Sequence, residues 1–77
     1  MKIDNTALQG VQLITPDVFG DSRGYFQESW NERRYAALGF NHQFVQDNLS
    51  LSRKGTLRGL HLQNPNPQGK LVYVLRG

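Results

Sequence analysis

The sequence predicts a mainly β fold, an antiparallel sandwich or barrel carrying one short helix. Three observations carry this expectation. Apolar residues fall in short runs bounded by Gly, Pro, Asn and Asp, and no long stretch has helical period. Within several runs polar and apolar residues alternate, the period of a strand. Only residues 31–39 combine a helix start signal with a stop signal.

Taken in order, Gly10-Val-Gln-Leu-Ile-Thr15 is a short apolar strand ended by Pro16-Asp17. Val18-Phe19 lead into Gly20-Asp-Ser-Arg-Gly24, a turn cluster. Tyr25 to Trp30 read as an imperfect strand, with Phe26, Glu28 and Trp30 on one parity. A carboxylate between two aromatics fits either an edge strand with Glu28 in water or a pocket wall facing a ligand. Asn31 caps a helix through Glu32, Arg33, Arg34, Tyr35, Ala36, Ala37 and Leu38, and Gly39 ends it. Arg33 and Arg34 form its solvated face, and Phe40 and Phe44 pack it down.

Phe44 to Ser52 read as a half-buried strand. Val45, Leu49 and Leu51 lie on one side, and Gln46, Asn48, Ser50 and Ser52 on the other. That polar side faces either solvent or a cavity. Arg53-Lys54-Gly55 makes a turn, Thr56 to Gln63 form the next strand, and a link with Pro65, Pro67 and Gly69 leads to a strand over residues 70–76. No internal repeat or low-complexity segment interrupts this order.

With 77 residues, no cysteine and 38% hydrophobic content, one small domain is the upper limit. A core this small without disulfides has marginal independent stability. The chain stops one residue after a strong strand, so it reads as a fragment of a longer protein or an obligate partner in an oligomer. Lack of cysteine removes thiolate metal sites and agrees with a cytoplasmic location. Nothing near Met1 reads as a signal peptide, and no apolar run is long enough to cross a membrane. The net charge of +3 is dispersed apart from Arg33-Arg34 and Arg53-Lys54. Nucleic-acid binding needs a clustered patch or motif, which neither doublet supplies, and a small anionic ligand suits this balance at least as well.

The chemistry concentrates between Gly55 and Gly77. Arg58 and His61 are three residues apart and face opposite sides of a regular strand, so sharing one cavity requires a bulge, for which Gly59 is suited. Lys70 opens the following strand on an apolar face. Cationic groups converging on a sheet repel one another and lose hydration, costs that an anionic ligand or a carboxylate relieves. Here His61 would serve as a base near neutral pH and Lys70 would stabilise developing negative charge on a substrate oxygen. Such a set suits proton abstraction next to a carbonyl, through an enolate.

Gly55-x5-His61-x-Gln63 followed by Gly77 resembles the first motif of the cupin superfamily. Metal-binding cupins place a second histidine where Gln63 stands and a glutamate that is missing here. One imidazole is too few for a transition-metal centre, so no metal is expected.

Four runs in order carry a more specific resemblance. They are Gly20-Asp-Ser-Arg23-Gly24-Tyr-Phe26-Gln-Glu28, Val45-Gln46-Asp47-Asn48-Leu-Ser50-Leu-Ser52, Gly55-Thr-Leu-Arg58-Gly59-Leu60-His61-Leu-Gln63 and Gln68-Gly-Lys70-Leu-Val72. Together they resemble the dTDP-4-dehydrorhamnose 3,5-epimerases, from about Gly10 onward. The resemblance implies the N-terminal portion, residues 1–77, of a single cupin-like jelly-roll domain. It implies a cofactor-independent, metal-free homodimer in dTDP-L-rhamnose synthesis that inverts C3 and C5 of dTDP-4-dehydro-6-deoxy-D-glucose.

By the same resemblance His61 removes the C3 and C5 protons and Lys70 holds the C4 oxyanion. Arg58, Gln46 and Asn48 line the sugar-nucleotide site. Arg23, Phe26 and Glu28 contact the nucleotide, with the partner's N-terminal strands helping to complete the site. Family members are more than twice this length. Their histidine-supporting carboxylate and proton-donor tyrosine lie beyond Gly77, and neither Tyr25 nor Tyr73 matches that donor. The isolated chain is therefore expected to lack epimerase activity. An epimerase acting at one carbon and a non-catalytic nucleotide-sugar binding module are the rival expectations.

Overall fold

A computed structural model describes residues 1–77. Its regular structure is mainly antiparallel β with one short helix, as the sequence predicts. The chain divides into two compact units, Met1–Asp47 and Asn48–Gly77. No helix is long and apolar enough to cross a membrane.

All regular elements lie in the first unit. Strands β1 (Lys2–Asn5) and β2 (Gln12–Thr15) pair antiparallel, with Ile3 opposite Ile14 and Asn5 opposite Gln12. The predicted strand 10–15 is thus present, two residues shorter at its start. Strand β1 is an addition to the expected elements. Lys, Asp and Asn have poor strand propensity, so its state comes from pairing rather than pattern. Side chains reinforce that pairing: Gln12 Nε2 donates to Asn5 Oδ1 at 2.9 Å, and the Met1 ammonium donates to Asp17 at 2.8 Å. The connecting loop closes on Thr6, whose Oγ1 donates to the Val11 carbonyl at 2.8 Å. Gly10, at φ 81°, supplies the left-handed turn residue.

A second hairpin follows, β3 (Val18–Asp21) with β4 (Gly24–Gln27). The sequence has Val18-Phe19 leading into a turn that begins at Gly20, yet Val18 to Asp21 all pair with β4. The turn is tighter than the glycine cluster implies, because Asp21 and Gly24 are already partners and only Ser22 and Arg23 connect them. No non-glycine residue has positive φ, and Gly24 takes the excursion at φ 138°. The predicted strand over 25–30 ends at Gln27. Glu28 and Trp30 leave it to engage the start of the helix.

Helix α1 (Glu32–Ala37) starts where predicted and ends one residue earlier, with Leu38 as its C-cap. Asn31, extended at φ −149° and ψ 110°, caps it by accepting from the Arg34 N–H at 3.0 Å. At the other end Gly39 N–H donates to Ala36 O at 3.0 Å and Phe40 N–H to Tyr35 O at 2.9 Å. This paired closure is the Schellman motif, with Gly39 at φ 100° as its left-handed residue.

Tyr35 is the one buried side chain, 3% exposed. Trp30 lies 4.4 Å from it between ring centroids, and Phe40 meets it at 6.1 Å. Phe44 stacks edge-on to Trp30 at 4.9 Å. Phe40 therefore packs against the helix as the sequence predicts, while Phe44 packs on Trp30, just ahead of it.

The expected strands at 44–52, 56–63 and 70–76 are not formed; no residue beyond Gln27 is in a strand. Unlike a helix, a strand cannot satisfy its own backbone groups, so an alternating sequence stays irregular without a paired neighbour. Leu57, Leu60 and Leu62 are accordingly uncovered, Leu60 completely. The turn at Arg53-Lys54-Gly55 is present: Thr56 N–H donates to Arg53 O at 3.1 Å, and Gly55 has φ 86°. Gly59 has φ 124°, but with no strand around it there is no bulge to re-aim Arg58 and His61.

Candidate functional site

The β3–β4 hairpin carries the best-ordered part of the predicted site. Residues opposite one another in an antiparallel pair project to the same side. Phe19 faces Phe26 and Asp21 faces Gly24, so these four share one face, while Val18, Gly20, Tyr25 and Gln27 share the other. Phe19 and Phe26 stand at opposite register positions across the strands, and both are well exposed.

Arg23 is drawn to that face by Asp21. Its backbone N–H donates to Asp21 Oδ1 at 2.8 Å, closing the turn as an Asx bond. Its Nε donates to both carboxylate oxygens, at 3.3 and 3.2 Å, and Nη2 donates to Oδ2 at 2.6 Å. The Arg23 side chain lowers the Asp21 carboxyl below its ordinary value of 3.8, with the Arg23 N–H adding to the effect. In turn, Asp21 raises the already high pKa of the guanidinium.

Glu28 is partly exposed and lies just beyond the end of β4. It turns to the helix start, where Asn31 Nδ2 donates to Oε2 at 3.3 Å. Arg34 Nη1 stands 3.8 Å from Oε1. Asn31 thus joins two elements, its Oδ1 capping the helix and its amide holding Glu28.

The remaining predicted residues lie on irregular backbone. Gln46 and Asn48 are exposed at either side of the boundary between the units. Arg58 donates through Nη2 to the Leu51 carbonyl at 3.4 Å. His61 and Lys70 are exposed, and no sheet ladder sets them side by side. Arg23 and Phe26 therefore lie on one hairpin, Arg23 tied to Asp21 on the strand face that carries Phe26; Arg58, His61 and Lys70 are not assembled into a constellation.

Two features escaped the reading of the sequence. Asp21 is the anchor of Arg23, signalled only by the Asp-x-Arg spacing inside a turn cluster. His42 lies between Phe40 and Phe44, at 6.1 and 6.4 Å between ring centroids. With Trp30, Glu32, Gln43, Phe44 and Val45 it lines a shallow recess. Nothing in its neighbours' periodicity marks it, because residues 40–44 lie outside any helix or strand.

Comparison with known proteins supplies the wider context. The family model described as dTDP-4-dehydrorhamnose 3,5-epimerase matches residues 5–77. A protein of that name from Methanothermobacter thermautotrophicus is 53% identical over 72 residues, covering 94% of this chain and 39% of the relative. One from Pseudomonas aeruginosa is 50% identical over 78 residues, covering 100% of this chain and 43% of the relative. One from Escherichia coli is 44% identical over 79 residues, with 100% and 43% covered. The chain thus spans less than half the length of these relatives. No solved structure matches it.

Proposed function

We propose a function from one premise, that the chain belongs to the dTDP-4-dehydrorhamnose 3,5-epimerase family. It is the N-terminal portion of a cupin-like epimerase domain that inverts C3 and C5 of dTDP-4-dehydro-6-deoxy-D-glucose, giving dTDP-4-dehydro-L-rhamnose on the route to dTDP-L-rhamnose. The observation that carries this reading is the order of four motifs inside the matched span: Arg23 to Glu28, Gln46 to Asn48, Arg58 to His61, and Lys70.

The chemistry follows from the ketone. C3 and C5 flank the C4 carbonyl, so each C–H is acidified by delocalising its electron pair onto the C4 oxygen. The neutral His61 imidazole accepts the proton, and the C–H pair becomes the enolate. The Lys70 ammonium donates a hydrogen bond to the C4 oxyanion, favouring the enolate over the ketone. A proton delivered to the opposite face of the same carbon restores the ketone with inverted configuration. One proton leaves and one returns at each carbon, so the reaction is redox-neutral.

Arg58, Gln46 and Asn48 hold the sugar-nucleotide, with Arg23, Phe26 and Glu28 on the nucleotide. The active assembly is a cytoplasmic homodimer in which β1 and β2 help complete the partner's site. Support for the nucleotide contact comes from the hairpin face that joins two exposed phenylalanines to an oriented guanidinium, groups suited to a base and a phosphate.

The test is exchange of the substrate's C3 and C5 protons into heavy water, followed by proton NMR with the full-length protein that carries this sequence. Loss of both signals is expected. Loss of one points to an epimerase acting at a single carbon, and loss of neither points to a binding module. His61→Ala is expected to slow exchange by about 10²–10⁴-fold. Full exchange in that variant overturns the base assignment. Lys70→Ala is expected to lose about 10²–10³-fold in kcat, the scale of one oxyanion donor.

A further inference from the structure

We infer that Asp21 is a positioning residue for Arg23, holding the guanidinium on the Phe26 face of the β3–β4 hairpin so that its outer edge meets the substrate's diphosphate. The inference rests on the reading above that Arg23 contacts the nucleotide, and it adds a residue to which that reading gave no role.

The geometry divides the arginine's donors in two. Asp21 engages Nε and one side of Nη2, the inner edge of the fork. Both Nη1 hydrogens and the second Nη2 hydrogen stay available, and one hydrogen from each of these nitrogens forms the end edge that pairs bidentately with a phosphate. The Arg23 side chain is 88% exposed, so without its anchor it would sample many rotamers. Asp21 is fixed in turn by its place in β3 and by the bond from the Arg23 N–H. A flexible cation at the tip of a hairpin is thereby aimed before any ligand arrives.

One effect opposes this. The Asp21 carboxylate is itself negative and repels a phosphate. At this exposure water and salt screen the repulsion strongly, whereas the loss of rotamer freedom on binding is unaffected by screening. Orientation therefore wins, and removing the carboxylate's charge weakens binding instead of strengthening it.

The test is the affinity of the full-length protein for dTDP by calorimetry, with Asp21→Asn, Arg23→Ala and the double variant. Asn keeps an Oδ1 acceptor for the Arg23 N–H, so the turn is retained while the second guanidinium acceptor is lost. Asp21→Asn is expected to weaken dTDP about three- to tenfold, the scale of immobilising one long side chain. In the Arg23→Ala background the same change is expected to add nothing, a coupling that a purely structural role for Asp21 would not produce. Unchanged or tighter binding by Asp21→Asn overturns the inference, as do losses that simply add in the double variant. If Arg23→Ala leaves dTDP affinity intact, the nucleotide-contact reading falls and the positioning role with it.

Discussion

At the scale of single residues, the Asp21 carboxyl has a definite pH signature. Its folded pKa lies below the ordinary 3.8 because Arg23 donates to it from side chain and backbone. A lowered carboxylate pKa means the folded hairpin binds the proton less readily than the unfolded chain does. The pairing is therefore fully present above the ordinary value and is lost as pH falls through the folded one. Titrating the Asp21 side-chain carbon by NMR should give a midpoint below 3.8, moving up toward that value in Arg23→Ala. A midpoint unmoved by that substitution would remove Arg23 as the cause. The sequence showed Asp21 and Arg23 only as members of a turn cluster. Residues two apart have no fixed side-chain relation until the hairpin closes, so the Asp-x-Arg spacing is a hint of the pairing that cannot fix it. Asn31 and Gly39, by contrast, were legible, because capping and left-handed closure are local to a few residues of chain.

Among the elements, α1 is too short to persist on propensity alone and depends on its ends and on Tyr35. Asn31→Ala removes the cap and also frees Glu28, so it should cost about 0.5–2 kcal/mol of local stability. Helical amide shifts over Glu32–Ala37 would report the loss, and unchanged shifts would show that the cap is dispensable. Gly39→Ala forces a side chain into φ 100° and should cost roughly 1–2 kcal/mol by the same readout. The two hairpins were legible in half. Strands β2 and β4 have apolar or aromatic residues that announce a strand. Strand β1 holds Lys, Asp and Asn, and β3 follows Val18-Phe19 with the turn-forming Gly20 and Asp21; each becomes a full strand because a neighbour offers a ladder. Pairing is a property of two segments, and a pattern read along one of them misses it.

For the whole molecule, residues 48–77 set the behaviour. Their alternation predicts strands that the structure does not form, because alternation says which side would be buried and not whether anything is there to bury it. Hydrogen exchange on the 77-residue chain should find the amides of 48–77 nearly unprotected, apart from Thr56, and those of Tyr35, Gly39 and Phe40 slower. Marked protection across 57–63 would contradict this. The same chain by itself should show no epimerase turnover, since His61 and Lys70 ride on backbone that no ladder holds in place.

The uncovered leucines at 57, 60 and 62 also fix the order in which a protease would dismantle the chain. Trypsin needs an extended, accessible stretch around its target. Arg53, Lys54 and Arg58 offer one, while Arg33 and Arg34 sit in a helix that must first unwind. Brief digestion should therefore release a long N-terminal piece ending near Arg53 before any cut at Arg33 or Arg34.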